Sequence, residues 1–344
     1  MYQSISINDP EFKQKLIHEY TTNGLAVIND VLLDQECDIA MTNIIDDFVK
    51  LGSGIDKDNI ENTWTTFNLP PQTRPGLFQA MMSNLQQVWD IRSNEKIKNI
   101  FEILYSHLRN KEVKDFIVSG DGINVKPGNV KPFKTKQSTD WAHVDQTIKG
   151  DIYKCIQGQA VLTNTSASFV ASPKSHLIFD DIITTLNHNS TSNWLKFSEQ
   201  EIKTIKPMIL KKGGQFQIPI LSKKGSFIVW SSTLIHSAKL QDQIEYPSTE
   251  DIYNGWRGIV YVCYRPKEEF SSKDLQTRIT VYETNRTTNH WSTKVFNKKP
   301  GSRYLYIEKK HAEIEMMMLE PKLVYDKISK PVLNDDQLKL LGLL

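Results

Sequence analysis

A chain of 344 residues can form one large β-rich domain with helical additions or two smaller ones, and 39% hydrophobic content is ordinary for a globular protein. Forty-two basic against 40 acidic residues leave a net charge of +2, which speaks against a dedicated nucleic-acid binder and against a polyanionic tail. Cys37, Cys155 and Cys263 are odd in number and lack C-x-x-C spacing, which argues against a disulfide framework or thiolate zinc site. The polar N-terminus and the lack of any apolar run near ~20 residues imply a soluble, cytoplasmic protein with no membrane partner.

Along the chain, Asp9-Pro10 reads as a helix start, followed by Phe12, Leu16, Ile17 and Tyr20 at helical spacing and stopped at Asn23-Gly24. Leu25 to Ile28 reads as a buried strand, and Asp34 as the cap of a second helix that ends at Gly52. Residues 53–80, rich in proline and polar groups, read as a long surface excursion. Residues 81–115 return to an apolar helical stripe that packs on a sheet. From 116 the pattern becomes short strands with turn residues between them: 116–118, 122–125, 155–162, 215–218, 226–230 and 258–264. The segment Ser119 to Asn124, just before the chemistry-bearing stretch, either faces substrate or turns as a hairpin at Asp121-Gly122, and the turn is the favoured reading. Many short strands after N-terminal helices predict an α+β protein: a jelly-roll core with helices on one face. As one domain it divides into a mainly helical region (1–115), the jelly roll (116–266) and a mixed extension (267–344) containing a strand-like run at 304–307 and a helix at 308–319.

The chemistry centres on Trp141-Ala142-His143-Val144-Asp145-Gln146. On an extended segment His143 and Asp145 leave the same face, so one imidazole and one carboxylate can reach a single metal ion. The second imidazole is sought at His236, immediately after the buried strand at 226–230. Two histidines and a carboxylate form a facial triad, leaving open positions on iron(II) for a keto acid and O₂. Arg257 opens the strand 258–264. An arginine on a buried strand needs an anion, either a protein carboxylate or the far carboxylate of 2-oxoglutarate. Arg265, the alternative, lies at that strand's exit and reads as exposed. Gln157 follows on a strand whose alternation leaves its facing open. Arg286 to Trp291 either lines the substrate mouth or fixes a surface turn.

These blocks, in this order, resemble the phytanoyl-CoA dioxygenase-like branch of iron(II)/2-oxoglutarate oxygenases. The resemblance covers separated stretches from about residue 12 to 266: Tyr20 to Ile28, Trp141 to Gln146, Ile156 to Thr165, Ser168 to His176, Gly225 to His236 and Trp256 to Tyr261. It implies that His143, Asp145 and His236 are catalytic iron ligands and that Arg257 anchors 2-oxoglutarate, with Gln157 facing the cofactor. His176 matches a proline-glycine-serine-histidine element that is structural or pocket-lining. The chain departs from the family in two places. Lys174 stands where glycine is commoner, and residues 240–250 lengthen the gap between His236 and Arg257. The retained Asp145 implies hydroxylation or a related oxidation of a small organic substrate, where its loss would imply a halogenase. A catalytically silent jelly-roll module, a nucleic-acid-modifying oxygenase, and a cupin-like metal enzyme without keto acid, against which Arg257 speaks, are the alternatives. Substrate identity and oligomeric state are not readable.

Overall fold

A computed structural model of the chain describes residues 2–52, 54–65, 68–70, 72–74, 76–127, 141–164, 168–188, 193–239, 252–293, 295–296 and 328–344. The run at 304–307, the helix at 308–319 and the insertion at 240–250 lie outside them. The strands are β1 (Ser4–Ser6), β2 (Leu25–Asn29), β3 (Gln72–Arg74), β4 (Leu77–Phe78), β5 (Phe116–Val118), β6 (Ile123–Lys126), β7 (His143–Val144), β8 (Ile156–Val161), β9 (Ser168–Ala171), β10 (Leu195–Lys196), β11 (Ile218–Ile220), β12 (Phe227–Ser231), β13 (His236–Lys239), β14 (Arg257–Tyr261), β15 (Tyr264–Pro266), β16 (Thr287–Thr288) and β17 (Val295–Phe296). Eight form a main sheet in the order β1-β2-β12-β8-β14-β6-β4-β3, and five a second sheet, β10-β7-β13-β9-β11. Their pairings are antiparallel except β1 with β2.

Strand alternation sorts the main sheet's two faces. Leu25, Val27, Val161, Ile228, Trp230 and Ile259 point inward and pack with Phe169, Ala171 and Ile220 of the second sheet. The intervening Ala26, Ile28, Ala160, Phe227, Val229 and Val260 point outward, against the N-terminal helices. Those helices are α1 (Phe12–Asn23), α2 (Asp34–Lys50), α3 (Ile60–Thr63), α4 (Gln86–Arg92) and α5 (Glu95–Arg109). On the second sheet, α6 (Phe179–Thr185) and α7 (Glu199–Lys211) pack Ile182, Ile183, Ile205 and Ile209 around Val144 and Ile235. Among the described residues no helix is long and apolar enough to cross a membrane.

Several local expectations are corrected. The first helix starts at Phe12, after a turn in which Asp9 Oδ1 accepts the Glu11 N–H at 2.8 Å. The second starts with Asp34 inside it, and Glu36 accepts the Leu33 N–H at 2.6 Å. The 53–80 excursion is no mere surface loop: Trp64, Leu69 and Phe78 are buried, and β4 pairs with β6 to extend the main sheet. Asp121-Gly122 forms no hairpin, because β5 pairs with β15 while β6 pairs with β14 and β4. The long 258–264 strand divides into β14 and β15, which enter different sheets.

The C-terminal helix Asp335–Leu341 is tied to this body by Arg278 of α8 (Ser272–Glu283). Its guanidinium is 1% exposed and donates to the carbonyls of Leu341 (3.0 Å) and Val118. A cation at a helix C-terminus also meets the negative end of the helix dipole. Arg278→Met should therefore lower unfolding stability by about 3 kcal/mol, since it leaves buried carbonyls without their charged donor. Urea denaturation reads this directly, and an unchanged midpoint would show that water replaces the donor.

Candidate metal centre and cavity

Register brings the two histidines together. In the β7–β13 pair His143 stands directly opposite His236. Val144 turns the other way into the α6–α7 core, so Asp145 returns to the face of His143. The three side chains are 5 to 7% exposed, and each offers one ligand atom within 4.8 Å of the others. His236 Nε2 lies 3.2 Å and His143 Nε2 3.9 Å from Asp145 Oδ2. The group can hold a metal ion.

The surroundings preset each donor. His143 Nδ1–H donates to the Trp141 carbonyl at 3.2 Å, and His236 Nδ1–H to the Leu234 carbonyl at 2.8 Å. A ring nitrogen facing a carbonyl must carry the hydrogen, which leaves both Nε2 lone pairs for a ligand. Trp141 stacks on His143 with centroids 4.5 Å apart at 14°, while Phe169 and Trp230 lie 5.5 Å from His236. These contacts restrict rotation of both imidazoles. The Asp145 backbone is held by its N–H to Ser232 O and by Trp291 Nε1–H to its carbonyl, both at 2.9 Å. Burial would raise the Asp145 carboxyl, but His290, His143 and His236 around it outweigh burial and hold it well below the usual carboxylate range.

A cavity of about 200 Å³ opens from the triad between the two sheets. Gln157, on β8, faces into it and donates Nε2–H to Asp145 Oδ2 at 2.9 Å, leaving its buried Oε1 without a hydrogen bond. Arg257, on β14, is 5% exposed and lines the same cavity. Arg265, expected to be exposed, is instead buried at 6%. It donates to Glu269 at 2.7 Å and to Trp291 O at 3.0 Å, so its charge is balanced by a carboxylate outside the cavity lining. His176 sits apart from the triad. Its ring packs on Gly24, where a Cβ would lie 2.4 Å from Nδ1. Lys174 adopts the left-handed conformation itself, with φ of 70°.

The segment 286–291, left open between a substrate mouth and a surface turn, comes to the cavity. Gly120 O accepts the Thr288 N–H and Gly120 N–H donates to Thr288 Oγ1, clamping β16 beside the β5–β6 connection. Asn289 and His290 then line the cavity together with Asp121. His290 Nε2 is 4.0 Å from Asp145 Oδ1 and lacks a hydrogen-bond partner. Neither His290 nor Asp121 was chosen from sequence. The polar-aromatic character of Asn289-His290-Trp291 was the available signal for the first, while the hairpin reading concealed the second.

No family model matches the chain. A curated relative, Ava biosynthesis cluster protein O of Aspergillus versicolor, is 22% identical over 296 residues, covering 80% of this chain and 87% of that protein. GlcNAc Inducible Gene 2 (GIG2, DUF1479) of Candida albicans superposes with a TM-score of 0.56 at 14% identity, over 99% of this chain and 79% of that one. A candidate oxidoreductase of Salmonella typhimurium LT2 superposes with a TM-score of 0.53 at 14% identity, over 99% and 86% of the two chains. At such identities the likeness is one of fold.

Proposed function

We propose that this chain is an iron(II)- and 2-oxoglutarate-dependent oxygenase acting on a small organic substrate, with His143, Asp145 and His236 as iron ligands and Arg257 as the keto-acid anchor. The observation that carries this reading is two imidazole Nε2 atoms, each preset by an Nδ1 bond to a carbonyl, converging on one buried carboxylate. Two nitrogens and one oxygen on one side of an ion are a ligand set suited to iron(II), with adjacent positions open. The two facing sheets fit a double-stranded β-helix, the jelly roll expected for the phytanoyl-CoA dioxygenase-like family. The Aspergillus relative, named for a biosynthesis cluster, and the candidate oxidoreductase of Salmonella are compatible with an oxidation of a small molecule.

When bound, iron and 2-oxoglutarate supply O₂-dependent oxidation of a C–H bond, coupled to loss of CO₂ and formation of succinate. The chain's own part is binding and orientation. Arg257 offers a planar fork that fits a carboxylate at two points. Trp141, Phe169 and Trp230 exclude water from the ligand rings, and Gln157 holds Asp145 in place. Asp121, Asn289 and His290 form a polar wall for substrate.

The direct experiment is succinate formation by purified protein with iron(II), ascorbate and 2-oxoglutarate, under air and under nitrogen. O₂- and iron-dependent succinate is expected, uncoupled turnover included. Failure to bind either iron or 2-oxoglutarate would remove the assignment. Gln157→Leu keeps the side chain's bulk but deletes the bond to Asp145 Oδ2. It should weaken iron binding by about 10- to 100-fold, the range for partners that orient metal ligands. Metal titration by calorimetry checks it.

A further inference from the structure

The β5–β6 connection and the 286–291 segment meet at the cavity, and each leaves a polar group there short of partners. Asp121 lines the cavity from the first and His290 from the second, and the bonds between Gly120 and Thr288 fix one relative to the other. Asp121 Oδ1 accepts the Gly122 N–H at 2.7 Å. Among the described residues nothing donates to Oδ2, and no cation forms an ion pair with this carboxylate. Arg92 reaches the same segment but directs its donors to the carbonyls of Ser83 and Asp121. His290 Nε2 is buried without a hydrogen bond, and at 4.0 Å from Asp145 Oδ1 it is too far to bond that oxygen.

An enclosed carboxylate without a counter-charge is costly. Elsewhere the chain provides one: Glu269 takes Arg265 at 2.7 Å and Arg109 at 3.2 Å, and Asp47 takes Lys50 at 2.8 Å. Burial pushes the Asp121 carboxyl up, and His290, the Gly122 N–H and Arg92 offset only part of that. Trp141, Phe169, Trp194 and Trp230 give the same cavity a large aromatic surface.

We propose that Asp121 and His290 form the head-group subsite for a substrate that carries a protonated amine. An alkylammonium offers three donors and a positive charge. One N–H reaches Asp121 Oδ2 and a second the lone pair of a neutral His290 at Nε2. The four aromatic rings receive the apolar body and favour a cation beside them. A hydroxyl in the same place brings one donor and no charge, and an anion meets Asp121 as a like charge. This rests on the oxygenase reading above and names a substrate class for it.

The test is calorimetric titration of the full chain, loaded with iron(II) and 2-oxoglutarate without O₂, with 2-phenylethylamine and with its neutral counterpart 2-phenylethanol. Exchanging a neutral hydrogen bond for a charge-assisted one predicts that the amine binds about 10-fold more tightly. Asp121→Asn keeps the shape and the Gly122 bond but removes the charge, and should bring the two affinities together. His290→Leu removes the second acceptor and should shrink the preference too, which tests the subsite independently of how Asp121→Asn folds. Bound iron and 2-oxoglutarate are measured on the same samples. Equal or undetectable binding of the two probes by wild type, or an amine preference that survives intact in either variant, would overturn the proposal. So would an Asp121→Asn protein that no longer takes up iron, since Asp121 would then support the metal centre instead of the substrate. If wild type binds neither iron nor 2-oxoglutarate yet keeps an Asp121-dependent preference for the amine, the subsite stands and the oxygenase reading falls.

Discussion

Replacing His236 with alanine is expected to bring iron-dependent succinate formation from 2-oxoglutarate down to background, a loss of at least about 100-fold, because even partners one shell further out move metal affinity by that much. The ring at 236 is one of three ligand atoms within 4.8 Å, and its Nε2 stands 3.2 Å from Asp145 Oδ2. His143→Ala and Asp145→Ala should do the same by removing the other two donors. The Asp145 change also strips Gln157 of its acceptor. The decisive measurement pairs bound iron per chain with succinate yield. Full iron occupancy and undiminished succinate in any one of the three variants would remove these residues from the centre.

The His143–Asp145 part of the candidate metal centre was legible in sequence because its spacing is local. Two residues on an extended segment share a face whatever surrounds them, and His143 and Asp145 do so across Val144. His236 was reachable because a histidine just past a buried strand has few places to go. What brings it opposite His143 is register, which no single segment declares. Elements were legible where apolar period and stop residues agreed, as at Gly24, where φ is 77°. Reading failed where long-range pairing overrode a local signal. Asp121-Gly122 looks like a hairpin turn, yet its flanking strands find other partners, and Asp121 faces the cavity. Arg265 precedes a proline at a strand exit and looked exposed, but Glu269 one turn along supplies the carboxylate that allows burial. His290 reaches the site only because Thr288 docks on Gly120, a contact spanning 168 positions.

His176 offers a large effect on stability remote from the triad. Its Nε2–H donates to the Thr21 carbonyl at 3.2 Å, which closes the end of α1, and its buried Nδ1 has no partner beside Gly24. Protonating Nδ1 would bury a charged donor with nothing to receive it. Burial accordingly pulls the imidazole down from 6.5 to about 4, against the smaller opposing pull of the Thr21 bond. Between those values the unfolded chain binds a proton that the folded one refuses, so stability rises with pH through this window and is lost as pH falls. From pH 7 to pH 5 the loss attributable to His176 should be about 2 kcal/mol, at 1.36 kcal/mol per pH unit below the unfolded value. The comparison is urea denaturation of wild type and His176→Leu at both pH values. Leucine gives up the Thr21 bond and should cost about 1 kcal/mol at pH 7. The variant should also lose the acid-dependent part, so that the two proteins draw level or cross near pH 5. Parallel stability curves for the two proteins between pH 7 and 5 would mean that the ring gains a proton freely in the folded state, which a sealed packing against Gly24 forbids.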